Sequence, residues 1–286
     1  MSENVQKTLR DSAALRWLAL ILLAGAMFCS YIFMDILSPI KDLMWDTKGW
    51  DSTAFGTMQG SETFLNVFVF FLIFAGIILD KMGVRFTAIL SGAVMLVGAS
   101  INWYALTDMF AGSNLEVWFN EHLNYIPGFD ELGVSPFYKG MPASAKFSAI
   151  GFMIFGCGVE MAGITVSRGI VKWFKGREMA LAMGSEMALA RLGVATCMIF
   201  SPMFARLGGE VSVSRSVAFG VVLLMVALIM FIVYAFMDKK LDSQTGEAEE
   251  KDDPFKLSDL GKILTDSGFW LVALLCVLYY SAIFPF

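Results

Sequence analysis

Two residues of opposite charge, Glu160 and Arg191, lie deep inside apolar stretches of this chain. A charge in such a place costs several kcal/mol unless it is paired or wet, which makes each a candidate for holding a charged ligand. Glu160 is about eleven residues, roughly 16 Å of helical rise, from one end of its stretch, and Arg191 is roughly 20 Å from the same side. Two readings fit this placement. Either the pair braces neighbouring helices, or it lines a polar cavity and takes the two ends of a zwitterion, an ammonium at the acid and a carboxylate at the guanidinium fork. Asp35 follows Tyr31 by four residues, so the two share a helix face. They are further candidates for substrate contact, with an interfacial carboxylate as the plainer reading of Asp35. Glu186, five residues before Arg191, is a candidate for proton coupling or for the wall of a wet cavity. Glu62 is a weaker candidate. Arg168 ends its stretch, where it either snorkels to the interface or pairs with Asp80.

Other chemistries find little support. The single histidine, His122, sits in a polar segment, which argues against a His-based catalytic centre or a metal site. Cys29, Cys157, Cys197 and Cys276 all fall in apolar stretches, so no disulfide framework is expected. Phe155-Gly156-Cys157-Gly158 looks like a phosphate loop in isolation, but no strand precedes it and its surroundings are apolar. No cofactor, metal, catalytic group or nucleic-acid partner is expected.

The elements that must position these residues are membrane helices. The chain is 57% hydrophobic and 16% charged, a balance foreign to soluble domains, and several stretches reach the roughly 20 residues a bilayer demands. The expected fold class is all-α and polytopic. Seven spans are predicted: Leu15–Ser38, Thr53–Leu79, Phe86–Leu106, Lys146–Val171, Glu178–Phe204, Ser216–Met237, and a seventh from Asp266. Span 1 is too long for a cleavable signal and lacks a small-residue cleavage site. Residues 1–237 then form a six-helix half. Residues 238–265 form a charged, mobile linker ending in a short amphipathic helix with Leu257, Leu260, Ile263 and Leu264 on one face. Residues 266–286 begin a second half. Thirteen Lys and Arg flank the spans on the amino-terminal side against six on the other, which places the amino terminus inside. The polar segment 107–145 carries Trp118 and Tyr125, and with Trp103 and Tyr104 these read as interface anchors. Its acids, Asp108, Glu116, Glu121, Asp130 and Glu131, lack calcium-loop spacing. Gly151, Gly156, Gly158, Gly163 and Gly169 make span 4 glycine-rich, for close helix packing or for a hinge.

Spans 2 and 3 are joined by almost no loop. Gly76, Asp80, Lys81, Gly83 and Arg85 stand there in order. Gly83 supplies a turn, Lys81 and Arg85 hold the turn inside, and Gly76 leaves room for another helix. This run resembles the G-x-x-x-D-(R/K)-x-G-x-R signature of the major facilitator superfamily, a class of secondary transporters. A second block is similar to the branch of that superfamily containing the lysosomal dipeptide transporters. It comprises Phe155-Gly156-Cys157-Gly158-Val159-Glu160, then Lys172-Trp173-Phe174-Lys175-Gly176-Arg177-Glu178, then Ala190-Arg191-Leu192-Gly193. Ser30-Tyr31 with Asp35, and Phe269-Trp270 with Tyr279-Tyr280 and Phe284-Pro285-Phe286, extend the likeness.

The resemblance implies twelve helices in two halves, alternating access, and short peptides as substrate, with Glu160 and Arg191 in the site. About five further helices, the C-terminal half of the same polypeptide, would then follow residue 286. The long 107–145 segment and Glu186, where a glutamine is expected, depart from that branch. With no N-x-S/T sequon, the expected home is a bacterial cytoplasmic membrane. The functional expectation is a secondary transporter, uniporting or proton-coupled, for dipeptides or similar zwitterions. The rival keeps the fold and carries an organic anion or another small solute. A membrane receptor or enzyme is the third reading.

Overall fold

The computed structural model describes residues 8–126, 129, 133–245, 261 and 263–283, and among these the chain is all-α without strands. The helices are α1 (Ala13–Met34), α2 (Lys41–Lys48), α3 (Ser52–Gly60), α4 (Phe64–Phe68), α5 (Phe71–Ala105), α6 (Asn114–His122), α7 (Ala143–Phe174), α8 (Met179–Ala205), α9 (Val213–Thr245) and α10 (Ser267–Ile283). Five stretches, built on α1, α5, α7, α8 and α9, are long and apolar enough to cross a membrane. The chain divides into two units, Met1–Glu249 and Glu250–Phe286. The second contains α10, the helix expected as span 7. Residues 246–260 and 262 of the expected linker, Leu257 and Leu260 among them, lie outside the described residues, as do Asp130, Glu131 and Phe284-Pro285-Phe286.

Span 2 is not the single helix expected over Thr53–Leu79. Asp51 caps α3 by accepting from the Ala54 N–H at 2.6 Å, as an N-cap aspartate does. After Gly60 comes a 3-10 turn, Ser61–Thr63, then the short α4. Phe70 adopts φ 55° before α5 begins, a left-handed conformation that costs a non-glycine residue roughly 1–2 kcal/mol. α5 in turn holds two expected elements, the end of span 2 and all of span 3, parted by Gly83 at φ 79°, ψ 169°. Only glycine takes that geometry without strain.

Contacts with α7 show that the chain doubles back at Gly83. Before it, Ser61 donates to the Ala149 carbonyl and Arg168 to Asp80, so the residue numbers rise together. After it, Met95 packs on Gly158 and Asn102 donates to Ser148, so one rises as the other falls. α7 is the most enclosed of the five candidate spans. It packs on both arms of α5 and on α1, whose Phe33 ring lies 4.8 Å from that of Phe155. α1 also packs on α8 and α9, and α9 packs on α5. α8 is the least enclosed, with Met187 and Ile199 each 69% exposed.

Four of the five glycines of α7 serve the close packing expected of them. Gly151, Gly156, Gly158 and Gly169 each face another helix with no room for a methyl group, whereas Gly163 faces open space. Gly76 likewise has nothing within 4 Å of a Cβ position, so the close helix contact expected there is not made among the described residues.

The 107–145 segment has structure of its own. Ser113 caps α6, and Phe110, Phe119 and Phe147 cluster with Tyr104. The buried Lys146 ties the cluster to α7 by donating to the Phe119 carbonyl and the Asn124 side chain at 3.1 and 3.2 Å. Tyr104 is therefore part of this packing, while Trp118 and Tyr125 remain exposed.

Candidate functional site

α8 seats on α1 through small residues at four-residue spacing. A Cβ at Gly193 would lie 2.5 Å from the Phe28 carbonyl oxygen. Cys197 donates to the Asp35 carbonyl at 3.2 Å, and Ser201 to the Ile36 carbonyl at 2.5 Å. That seam sets the rotation of α8 and puts Arg191, two residues ahead of it, beside Tyr31. The guanidinium carbon stands 5.7 Å from the ring centroid, within range of a cation–π contact. Asp35, at the end of α1, accepts from Ser38 at 3.3 Å and lies within electrostatic reach of Arg191. Of the two residues expected on one face, Tyr31 is in contact with Arg191, while Asp35 lies near it without forming an ion pair among the described residues. The arginine itself is exposed, on the open side of α8.

Glu160 is arranged differently from the paired brace considered above. It is half-buried on α7, and among the described residues no ion pair joins it to Arg191. Its electrostatic neighbours are Cys157, one turn back, and Glu62. Glu62 reaches this place because the 3-10 turn presses against Gly156, where a Cβ would overlap the Glu62 carbonyl. Glu62 is 9% exposed and lies within electrostatic reach of both Glu160 and Asp35. Arg191, Asp35, Glu62 and Glu160 form a chain of charges across α8, α1, the turn and α7. Glu186 is half-buried on α8, and its carboxylate makes no hydrogen bond or ion pair among the described residues.

A second set of charges gathers where residues 8–11, the Gly83 turn, the end of α7, the start of α8 and the end of α9 meet. Arg168 donates to Asp80 at 2.5 Å, the pairing foreseen as one of two readings. Arg85 pairs with Asp242 at 2.9 Å, and Lys172 with both Asp238 and Asp242 at 2.7 Å. Asp238, fully buried, also accepts from Trp173 at 3.0 Å and Tyr234 at 3.4 Å. Arg177 pairs with Asp11 at 2.7 Å. The Asp11 carboxyl is held below its ordinary range, first by the Thr8 backbone N–H and hydroxyl and then by Arg177. Lys81 of the turn is exposed.

Sequence reasoning placed Asp238 and Asp242 in a mobile linker. Instead α9 continues through Thr245 and carries both into the packed bundle. A signal for this was present: Tyr234, Asp238 and Asp242 recur every fourth residue, continuing the helical period of span 6. The burial of Glu62 is a second feature the sequence does not disclose. Nothing local marks it, because its burial depends on the meeting of the turn with Gly156.

The Major Facilitator Superfamily model matches residues 23–286. The lysosomal dipeptide transporter MFSD1 of Danio rerio is 30% identical over 145 residues, covering 48% of this chain and 31% of the relative. The proteins of that name from Pongo abelii and Homo sapiens are 24% identical over 280 residues, covering 95% of this chain and 52% of theirs. The chain spans about half or less of the length of these curated relatives. No solved structure matches it.

Proposed function

Because the chain belongs to the major facilitator superfamily, whose members are transporters and not enzymes, we propose that it forms one half of a secondary transporter for dipeptides or similar small zwitterions. The observation that carries this reading is Arg191, exposed on the open side of α8 and set over Tyr31, while Glu160 lies apart from it without pairing. An unpaired acid and base in one bundle can each take one end of a zwitterion, and a dipeptide spans roughly 7 Å between its charged ends. Arg191 binds the carboxylate, Glu160 the ammonium, and Tyr31 and Asp35 hold the guanidinium in place. The dipeptide transporters among the relatives support the same cargo.

In this reading a C-terminal half of the same polypeptide supplies the opposite wall, and the halves rock about the bound ligand. The amino terminus faces the cytoplasm. The ionic cluster around Asp80, Arg85, Arg168 and Lys172 then forms the inner gate, where pairs break and re-form between states.

The test is a thermal-shift screen of the full-length protein against dipeptides, amino acids and organic acids, since a ligand stabilises by mass action even when weak. It is followed by uptake into liposomes. Dipeptides should raise the melting temperature of the wild type, and neither Arg191→Lys nor Glu160→Gln should retain the full rise. Stabilisation by organic acids alone, undiminished in Glu160→Gln, would overturn the peptide reading in favour of an anion carried on Arg191.

A further inference from the structure

The interruption of the second apolar segment gathers polar atoms that nothing among the described residues satisfies. Irregular backbone at membrane depth is tolerated where it is buried in protein or lines a wet cavity, and broken helices in transporters place freed groups at ion sites. Here the break at Ser61–Thr63 follows α3, and one side of the segment borders a cavity of about 430 Å³ lined in part by Thr57, Ser61, Thr63 and Ser135. Gln59, Glu62 and Asn66 recur at three- and four-residue spacing, so they share a face. The Gln59 amide nitrogen donates to the Met34 carbonyl at 3.1 Å, but its oxygen is buried without a partner. Both amide atoms of Asn66 are buried and unpartnered. The Glu62 side chain, nine-tenths buried, makes no hydrogen bond or ion pair among the described residues.

Charge counting sharpens this. The groups facing Glu62 are Asp35 from α1 and Glu160 from α7, with the Cys157 thiol beside Glu160. From α8, Arg191 stands over Tyr31 and near Asp35. Arg191 is thus placed toward Asp35 alone, and among the described residues no cationic side chain pairs with Glu62 or Glu160. The orphaned Gln59 and Asn66 atoms mark a place where an ion, a proton or a water belongs, and the Glu62 carboxylate at the end of a largely buried side chain is still within reach of solvent.

We propose that Glu62 is the loading site of a monovalent coupling cation, held at the break between α3 and α4 with the Gln59 and Asn66 oxygens on the same face. A proton bound to the carboxylate and a sodium ion held against it answer the same charge. This assigns coupling to Glu62 in place of Glu186. Its role in transport rests on the transporter reading above; the binding of the cation does not.

The test therefore begins without peptide. Full-length protein in detergent is unfolded thermally with sodium replacing choline at constant ionic strength, and separately over a falling pH series. The wild type should melt higher with one of the two cations, and the responding cation identifies itself. Glu62→Gln should lose that response, while Glu186→Gln keeps it. Asn66→Leu, which retains the carboxylate, should shift the half-response concentration about tenfold, the factor corresponding to one lost interaction of 1.4 kcal/mol. A wild type indifferent to both cations, or a Glu62→Gln protein with an unchanged response, overturns the proposal. If Glu62→Gln does not fold, an unshifted Asn66→Leu response does so. Liposome uptake separates this from the peptide reading. Peptide flux that ignores both gradients ends the coupling role while the cargo stands, and a Glu62-dependent cation response with no peptide flux ends the cargo assignment while the cation site stands.

Discussion

Removing the carboxylate of Asp238 separates a packed ionic cluster from a loose linker. Asp238 is 0% exposed and accepts from Lys172, Trp173 and Tyr234. In Asp238→Ala, Lys172 keeps Asp242 at 2.7 Å and is itself 22% exposed. Its share of the loss is therefore near the surface-pair value, about 1 kcal/mol. The Trp173 indole N–H is worse placed, because Trp173 is fully buried and Asp238 is its acceptor. Orphaning such a donor costs about 1–3 kcal/mol. Together these give a loss of about 3 kcal/mol, a fall of about 6–12 °C in melting temperature at roughly 2–4 °C per kcal/mol. Asp238→Asn keeps an oxygen for the indole and should lose only about 1 kcal/mol. Trp173→Phe alone should also cost about 1 kcal/mol, one hydrogen bond. The double variant Asp238→Ala with Trp173→Phe no longer orphans the indole N–H and leaves only the weaker Tyr234 donor, at 3.4 Å, without its acceptor, so its loss should be smaller than the sum of the two by about 2 kcal/mol. The assay is thermal unfolding of the wild type and the four variants in detergent. A near-neutral Asp238→Ala, or strictly additive losses, would refute a buried Asp238 joined to Trp173.

Three further substitutions read other parts of the bundle. Gly156→Ala drives a methyl into the Glu62 carbonyl and should cost about 1–3 kcal/mol by overpacking. Gly163→Ala, which meets open space, should leave the melting temperature unchanged or slightly raised; equal effects at the two positions would contradict the described contact. Asp80 and Arg168 are both about one-third exposed, so Asp80→Asn should lose no more than about 1 kcal/mol of stability. It should nonetheless slow peptide flux at unchanged equilibrium binding, as measured by uptake beside a binding titration. Arg191→Lys gives up bidentate hydrogen bonding to a carboxylate, worth about 1.5–3 kcal/mol, so the apparent Kd for a dipeptide should rise about tenfold to a hundredfold, as read by calorimetry.

The sequence by itself determined the helical membrane class, the turn at Gly83 and which residues share a helix face. These are local properties. Hydropathy over some twenty residues, a backbone angle that favours glycine, and the four-residue spacing of Tyr31 and Asp35 all act within one element. The Asp80–Arg168 pair was only one of two readings for Arg168; the packing of the first arm of α5 along α7 decided it. The tertiary structure alone decided the partners across helices. Arg191 meets Tyr31 and lies near Asp35, apart from Glu160, because Gly193, Cys197 and Ser201 let α8 settle on α1 at one rotation. Hydropathy cannot see rotation about a helix axis. Glu62 is buried because the second apolar segment breaks where Gly156 admits its backbone. The break itself was hidden, since the apolar run continues through it and the polar Ser61 standing at it is absorbed by another helix, its hydroxyl donating to the Ala149 carbonyl. The burial of Asp238 had the same origin: a charged residue past an apolar run reads as solvated until Lys172, Trp173 and Tyr234 converge on it.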